Sequence, residues 1–240
     1  MASSDPVAWT QVARRLTESA ARACASWIGE GNKDAADGAA VDALQEGAVH
    51  AGLSGTVVIG EGEKDDAPLL APGSQIGPDG TEPALDIAVD PLEGTALVAT
   101  DAPGALSVLA LAPADAMLPL GRAFYMEKLI GPSAAREALD LDAAPGDVVE
   151  AVADAISVPP TEVRVAVQKR PRHADLIQAL RAAGAQVRLF EEGDLSFALQ
   201  ALQKRTDGRI PASEFGPPQE HRPVDLLWGI GGAPEGMLAA

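Results

Sequence analysis

Asp90 and Glu93 stand three residues apart in the stretch DIAVDPLEGT, residues 86–95, where an apolar run stops at an aspartate. Pro91 fixes the backbone at the exit of that run, and Gly94 permits a close approach of the backbone to a ligand. Gly94 and Thr95 then offer N–H groups and a hydroxyl at the start of a helix, where phosphate binds well. A carboxylate pair joined to a phosphate cradle is equipment for metal-assisted phosphate chemistry.

Other carboxylates fall at comparable breaks in the chain. Asp34 and Asp37 open a helical segment, Gly60-Glu61-Gly62-Glu63 follows the apolar run TVVIG, and Glu235 follows WGIGGAP. Carboxylates gathered at the carboxyl ends of strands repel one another unless cations bind among them, and oxygen-only ligands favour Mg2+ or Mn2+. Each cluster also has a plainer reading. Asp34 and Asp37 suit a helix N-terminus electrostatically, and Glu61 and Glu63 between glycines read equally as a turn. Lys169-Arg170-Pro171-Arg172-His173 follows the run VRVAVQ, where it reads either as a site for a second anionic group or as a solvated loop. Tyr125, the one tyrosine, reads as core filler, and His50 and His221 read as surface residues.

The elements that must position these groups are legible from periodicity. An amphipathic helix capped at Ser4 or Asp5, with Pro6 in its first turn, puts Trp9, Val12, Leu16, Ala20 and Trp27 roughly on one face. GEGNKD breaks it, and a second helix over 36–50 follows, carrying Val41, Leu44 and Ala48 on one side. TVVIG (56–60), ALDIAV (84–89), ALSVLALA (105–112) and GRAFYMEKLIGP (121–132) read as strands. From Asp147 onward helical and strand patterns alternate, with strands at 163–168, 187–190 and 224–230 and helices at 147–156, 173–184 and 194–203. That alternation implies parallel βαβ units. The expected class is α/β, an α+β part over residues 1–140 followed by an α/β part over 141–240, with 204–223 as a polar excursion. GGAPEG reads as a strand-to-helix turn.

Composition narrows the partners. A net charge of −17, from 35 acidic and 18 basic residues, argues against nucleic acid binding through a general basic surface. An anionic small molecule would need metal ions or a few well-placed cations. Hydrophobic residues make up 47% but aromatics only 3%, so the core must be built from Ala, Leu and Val. Apolar runs such as ALSVLALAPA are too short to span a bilayer. The N-terminus lacks the pattern of a signal peptide, and Cys24 is alone, which excludes an intrachain disulfide. The expectation is a cytoplasmic protein with no membrane partner.

Taken together these stretches resemble the class II fructose-1,6-bisphosphatases, including the dual fructose/sedoheptulose enzymes, within the lithium-sensitive phosphatase superfamily. The resemblance runs from about Val12 to the last residue and rests most specifically on GEGEKDDAP, DIAVDPLEGT and GIGGAPEG. It implies a layered αβαβα architecture with the C-terminal part incomplete, and hydrolysis of a C1 phosphate ester by metal-activated water. The implied metal ligands are Asp37, Glu61, Asp90, Glu93 and Glu235, holding two or more Mn2+ or Mg2+ ions. The implied substrate contacts are Glu93, Gly94, Thr95, Tyr125, Arg170, Arg172, Glu192, Gly193, Asp194 and Gly232. Thr95, Glu61 and Asp90 would serve catalysis, and Arg170 and Arg172 would hold the distal phosphate.

The resemblance also implies a gluconeogenic fructose-1,6-bisphosphatase and a homo-oligomer. Three departures are visible. Asn32 stands where the family has an aspartate, Glu192 stands where it has a shorter acid, and 204–223 is longer and more polar than its equivalent. The alternatives are a catalytically impaired paralogue that acts as a binding or oligomer partner, and an enzyme acting on sedoheptulose-1,7-bisphosphate. A monophosphatase for inositol or adenosine phosphates is disfavoured by GEGEKD and RPRH.

Overall fold

The computed structural model of the chain describes residues 6–60, 70–78, 84–203 and 223–239. It divides into two compact units that meet in sequence at Phe124 and Tyr125. The sequence put this division at residue 140. It falls earlier because the strand that begins at Tyr125 is hydrogen-bonded to the last strand of the chain.

The first unit contains α1 (Pro6–Ala23), α2 (Lys33–Ala51), β1 (Gly55–Ile59), β2 (Gln75–Ile76), β3 (Leu85–Glu93), α3 (Thr95–Ala99) and β4 (Leu106–Pro113). The expected stripe on α1 is buried at Leu16 and Ala20, with Trp9 and Val12 packed at its margin. Helix α2 begins earlier than its apolar pattern because Asn32 caps it, its side-chain oxygen accepting the N–H of Ala35 at 3.1 Å. The proposed caps of α1, Ser4 and Asp5, lie outside the described residues.

Small residues let the two helices close on each other: a Cβ at Gly47 would come within 2.7 Å of Leu16 Cδ2. Leu16 and Ala20 pack with Ala36, Ala40, Leu44 and Ala48 of α2 and with Val57, Leu85, Ile87 and Val89 of the strands. The core is thus built from the aliphatic residues the composition required.

The strands of this unit form a mixed sheet of order β2-β1-β3-β4, with β1 parallel and β4 antiparallel to β3. Strand β3 is buried along all nine residues. It runs past the expected stop at Val89 because β4 continues to pair with it, through an irregularity between Asp90 and Glu93.

The second unit contains β5 (Tyr125–Ile130), α4 (Pro145–Ala155), β6 (Arg164–Gln168), α5 (Ala174–Ala182), β7 (Gln186–Phe190), α6 (Asp194–Leu202), β8 (Leu226–Gly232) and α7 (Ala233–Ala239). Its sheet has the order β5-β8-β6-β7. As the alternation implied, β6 is parallel to β7 and to β8, while β5 is antiparallel to β8. Alternate residues face opposite sides. Val165, Val167, Leu226 and Trp228 pack under α4 and α5, whereas Ala166, Phe190 and Leu227 pack under α6. The α/β class read from the sequence is what the structure has. The path from β6 goes to β7 on one flank and then to β8 on the other, so the strand order reverses between β6 and β8. In open α/β sheets such a switch point leaves a crevice at the carboxyl ends of the strands.

Candidate metal and phosphate site

In the first unit, Asp90 and Glu93 sit at the carboxyl end of β3, the central strand, at 8% and 6% exposure. Asp90 Oδ1 accepts the N–H of Leu92 at 3.1 Å, which turns the carboxylate back along the strand exit. Gly94 then takes a left-handed conformation, φ 84°, and caps the short α3 that begins at Thr95. A side chain at Gly94 would be strained in that conformation, and its Cβ would lie 2.9 Å from Leu97 Cδ1.

Asp37 lies in the first turns of α2, and one oxygen each of Asp37 and Glu93 is closed to solvent. Glu61 would follow β1, but it lies outside the described residues, as do the rest of GEGEKDDAP after Gly60 and the segment 204–222. The plainer, helix-opening reading fits Asp34, the acid in the first turn of α2, whereas Asp37 lies one turn further in.

Ionised carboxylates held out of water are costly unless a positive charge offsets them. Asp37, Asp90 and Glu93 supply only oxygen donors, which fits a hard divalent cation. Among the described residues, no group of three or more His, Cys, Asp or Glu side chains stands assembled to hold an ion. Asp37 also bears on Cys24, whose thiol burial pushes above its ordinary pKa with a further push from the Asp37 charge.

In the second unit, the residues singled out in the sequence gather at one end of the sheet. Arg170 and Arg172 follow β6, Glu192, Gly193 and Asp194 follow β7, and Gly232 closes β8. Tyr125 opens β5 opposite Gly232. It is 54% exposed rather than core filler, with the Arg172 guanidinium 5.5 Å from its ring centre. An aromatic face that stacks a cation stays at the surface here because the strand begins there. Glu235 enters in the first turn of α7, its carboxylate folded against Gly232, where no Cβ would fit. Glu235 Oε2 is buried and has no hydrogen-bond partner among the described residues. That is a further oxygen donor suited to a cation.

Arg172 donates from Nε and Nη2 to the carbonyl of Ile230, at 3.1 and 2.7 Å, and from Nη2 to Gln168 Oε1 at 3.1 Å. Arg170 and Lys169 both reach the exposed Glu191, at 3.1 and 3.0 Å. The hydrogen bond from Lys169, with the nearby positive charges, holds the Glu191 carboxyl below its ordinary pKa.

The carboxylate of Asp194 meets Lys128 Nζ at 2.6 Å in a buried ion pair. Lys128, Gln168, Asp194, Gly229, Ile230 and Gly231 line a small hollow at the carboxyl ends of β6 and β8.

Sequence reasoning missed Lys128, Glu191 and the bridging role of His173. A signal existed only for Lys128, a lone ammonium in the otherwise apolar end of YMEKLI. His50 is exposed as expected, and His221 lies outside the described residues. Among the described residues no helix is long and apolar enough to cross a membrane.

Comparison with known proteins adds relatives. The family model described as bacterial fructose-1,6-bisphosphatase, glpX-encoded, matches residues 9–240. The chain is 39% identical over 236 residues to a D-fructose 1,6-bisphosphatase class 2/sedoheptulose 1,7-bisphosphatase 1 of Acaryochloris marina (strain MBIC 11017), covering 94% of this chain and 63% of that protein. It is 38% identical over 236 residues to the D-fructose 1,6-bisphosphatase class 2/sedoheptulose 1,7-bisphosphatase of Synechocystis sp. (strain ATCC 27184 / PCC 6803 / Kazusa), with coverages of 94% and 64%. Against the fructose-1,6-bisphosphatase 1 class 2 of Escherichia coli (strain K12), the identity is 39% over 226 residues, with coverages of 94% and 62%. The chain thus spans less than two thirds of the length of each of these relatives.

Proposed function

The chain belongs to the glpX-encoded bacterial fructose-1,6-bisphosphatase family, and from that membership we propose that it hydrolyses the 1-phosphate of fructose-1,6-bisphosphate to fructose-6-phosphate and inorganic phosphate. It would do so as a cytoplasmic, gluconeogenic homo-oligomer. The observation that carries the reading is the gathering of Tyr125, Arg170, Arg172, Gly193 and Gly232 at one end of the second unit's sheet, beside a switch point. Cations and backbone amides gathered there suit the anionic end of a sugar phosphate.

Asp37, Glu61, Asp90, Glu93 and Glu235 are the residues that would hold two or more Mn2+ or Mg2+ ions. When bound, such ions lower the pKa of water and neutralise charge on the phosphoryl oxygens. The chain's own groups do the rest. Thr95 Oγ1 orients the attacking water by a hydrogen bond, and Glu61 with Asp90 accepts its proton. The water oxygen adds to phosphorus, the bond from phosphorus to the C1 oxygen breaks, and that oxygen leaves as the sugar hydroxyl after taking up a proton. Gly94 and Thr95 present N–H groups to the reacting phosphate, and Glu93 lies against it. Arg170 and Arg172 grip the distal phosphate, because a planar fork of donors matches phosphate oxygens. Tyr125, Glu192, Gly193, Asp194 and Gly232 line the sugar.

Sedoheptulose-1,7-bisphosphate is a second substrate of the same reading, favoured because two of the relatives carry both activities in their names. A non-catalytic paralogue is disfavoured, since the relatives are named as enzymes. Phosphate release from a panel of sugar phosphates, with Mn2+ or Mg2+ supplied, tests the proposal. Release fastest from the bisphosphates, with a slower rate on fructose-1-phosphate, is expected, and equal rates on inositol or adenosine monophosphates would overturn it.

A further inference from the structure

Strands β6 and β8 pair directly only at Val165–Leu226 and Ala166–Leu227. Beyond that point they part, as strands at a switch point do: Gln168 still pairs with Phe190 of β7 and Ile230 with Glu127 of β5, but no direct β6–β8 pairing reaches either of them. One side chain rejoins them. His173 is 2% exposed; its Nε2 lies 2.8 Å from the N–H of Ile230, and its Nδ1 lies 2.7 Å from the carbonyl of Gln168. An amide N–H can only donate and a carbonyl can only accept. Nε2 therefore carries no proton, and Nδ1–H donates to Gln168.

The carbonyl of the same Ile230 accepts both donors of Arg172. Consecutive residues thus take both backbone groups of Ile230. Gly229, immediately before it, has φ 141°, and a Cβ there would come within 3.0 Å of His173 Nε2. The histidine ring fills the space that glycine leaves.

We propose that His173 is a positioning residue: in its neutral Nδ1–H form it splints β6 to β8 and so fixes the Arg172 guanidinium for the distal phosphate of a sugar bisphosphate. This rests on the functional reading above. Arg172 has two donors committed to Ile230 and holds its plane over Tyr125. Its remaining face can meet phosphate only while Ile230 stays in register with Gln168. Without the imidazole, the partly buried Ile230 N–H loses its partner and the Gln168 carbonyl keeps only the N–H of Arg170, so the link between the two strand ends is lost and the end of β8 relaxes.

The test uses the full chain and the variants His173→Phe, which keeps a ring without hydrogen bonds, and His173→Gln, which restores part of them. Gly229→Ala displaces the ring without touching it chemically. Each is assayed on fructose-1,6-bisphosphate and on fructose-1-phosphate, which lacks the distal phosphate. The expected result for His173→Phe and Gly229→Ala is a KM for the bisphosphate raised at least tenfold, with kcat and the rate on fructose-1-phosphate within twofold of the parent. His173→Gln should fall between. Parallel losses on both substrates would mark a merely structural role and overturn the proposal.

If the parent hydrolyses neither substrate, the functional reading fails. The splint is then decided by nitrogen-15 spectra of the full chain. A protonated Nδ1 on His173, and an Arg172 Nε–H signal that moves in His173→Phe, support it. The opposite tautomer, or an unmoved Arg172 signal, overturns it.

Discussion

Lys128 Nζ lies 2.6 Å from Asp194 Oδ2, and side chains from β5 and the start of α6 thereby form an ion pair almost closed to water. Gly231 makes the pair possible, because a Cβ there would run into both groups. Removing one partner of a buried pair leaves an uncompensated charge, at a cost of about 3–5 kcal/mol. Lys128→Met should therefore lower the urea midpoint strongly. The double variant Lys128→Met with Asp194→Leu should regain most of the loss. A single variant as stable as the parent would show that the pair contributes nothing.

Glu191 is exposed, so its contacts with Lys169 and Arg170 should matter for local order rather than for stability. Its folded pKa is depressed, so any contribution is present above the ordinary carboxylate range and is lost as pH falls through the folded value. Carbon-13 titration of the Glu191 carboxyl should give a midpoint below that of an ordinary glutamate, and Glu191→Gln should leave the melting temperature unmoved. An ordinary midpoint would contradict the bridge.

Cys24 is 3% exposed, and its thiol faces the carbonyl of Ala20 at 3.2 Å. Burial and the neighbouring Asp37 raise its pKa and keep it protonated. Iodoacetamide at pH 8 should leave the native protein unlabelled and should modify the one cysteine in urea. Rapid labelling of the folded chain would be inconsistent with this packing.

Gly94 joins the carboxylates of β3 to α3 in a left-handed conformation. Gly94→Ala should cost about 1–2 kcal/mol, from the conformation alone. The contact with Leu97 adds to that. Denaturant unfolding would check it, and an unchanged midpoint would mean that the turn relaxes freely.

Much of this was legible in the sequence because the signals are local. The stripe of Leu16 and Ala20, the strand VRVAVQ and the turn after DIAVDPLEGT each follow from periodicity or from a residue's backbone freedom. The arginines of RPRH were placed correctly at a strand end by the same logic. What was not legible depends on register between distant strands. Lys128 finds Asp194 only because β5 pairs with β8 and α6 packs beneath it. His173 bridges Gln168 and Ile230 only because β6 and β8 diverge. Nor does Tyr125, alone in its strand, announce that it will be exposed beneath an arginine.

The central claim is that the carboxylates at the end of β3 serve metal-dependent release of the 1-phosphate. The most direct test is phosphate release from fructose-1,6-bisphosphate with Mn2+ by the full chain, beside Asp90→Asn with its fold confirmed by circular dichroism. The account predicts one phosphate and one fructose-6-phosphate per substrate from the parent, no activity after chelation, and a rate reduced by about 100-fold or more in Asp90→Asn, given the several kcal/mol a catalytic metal supplies. Equal rates in parent and variant, or release that survives chelation, would contradict it.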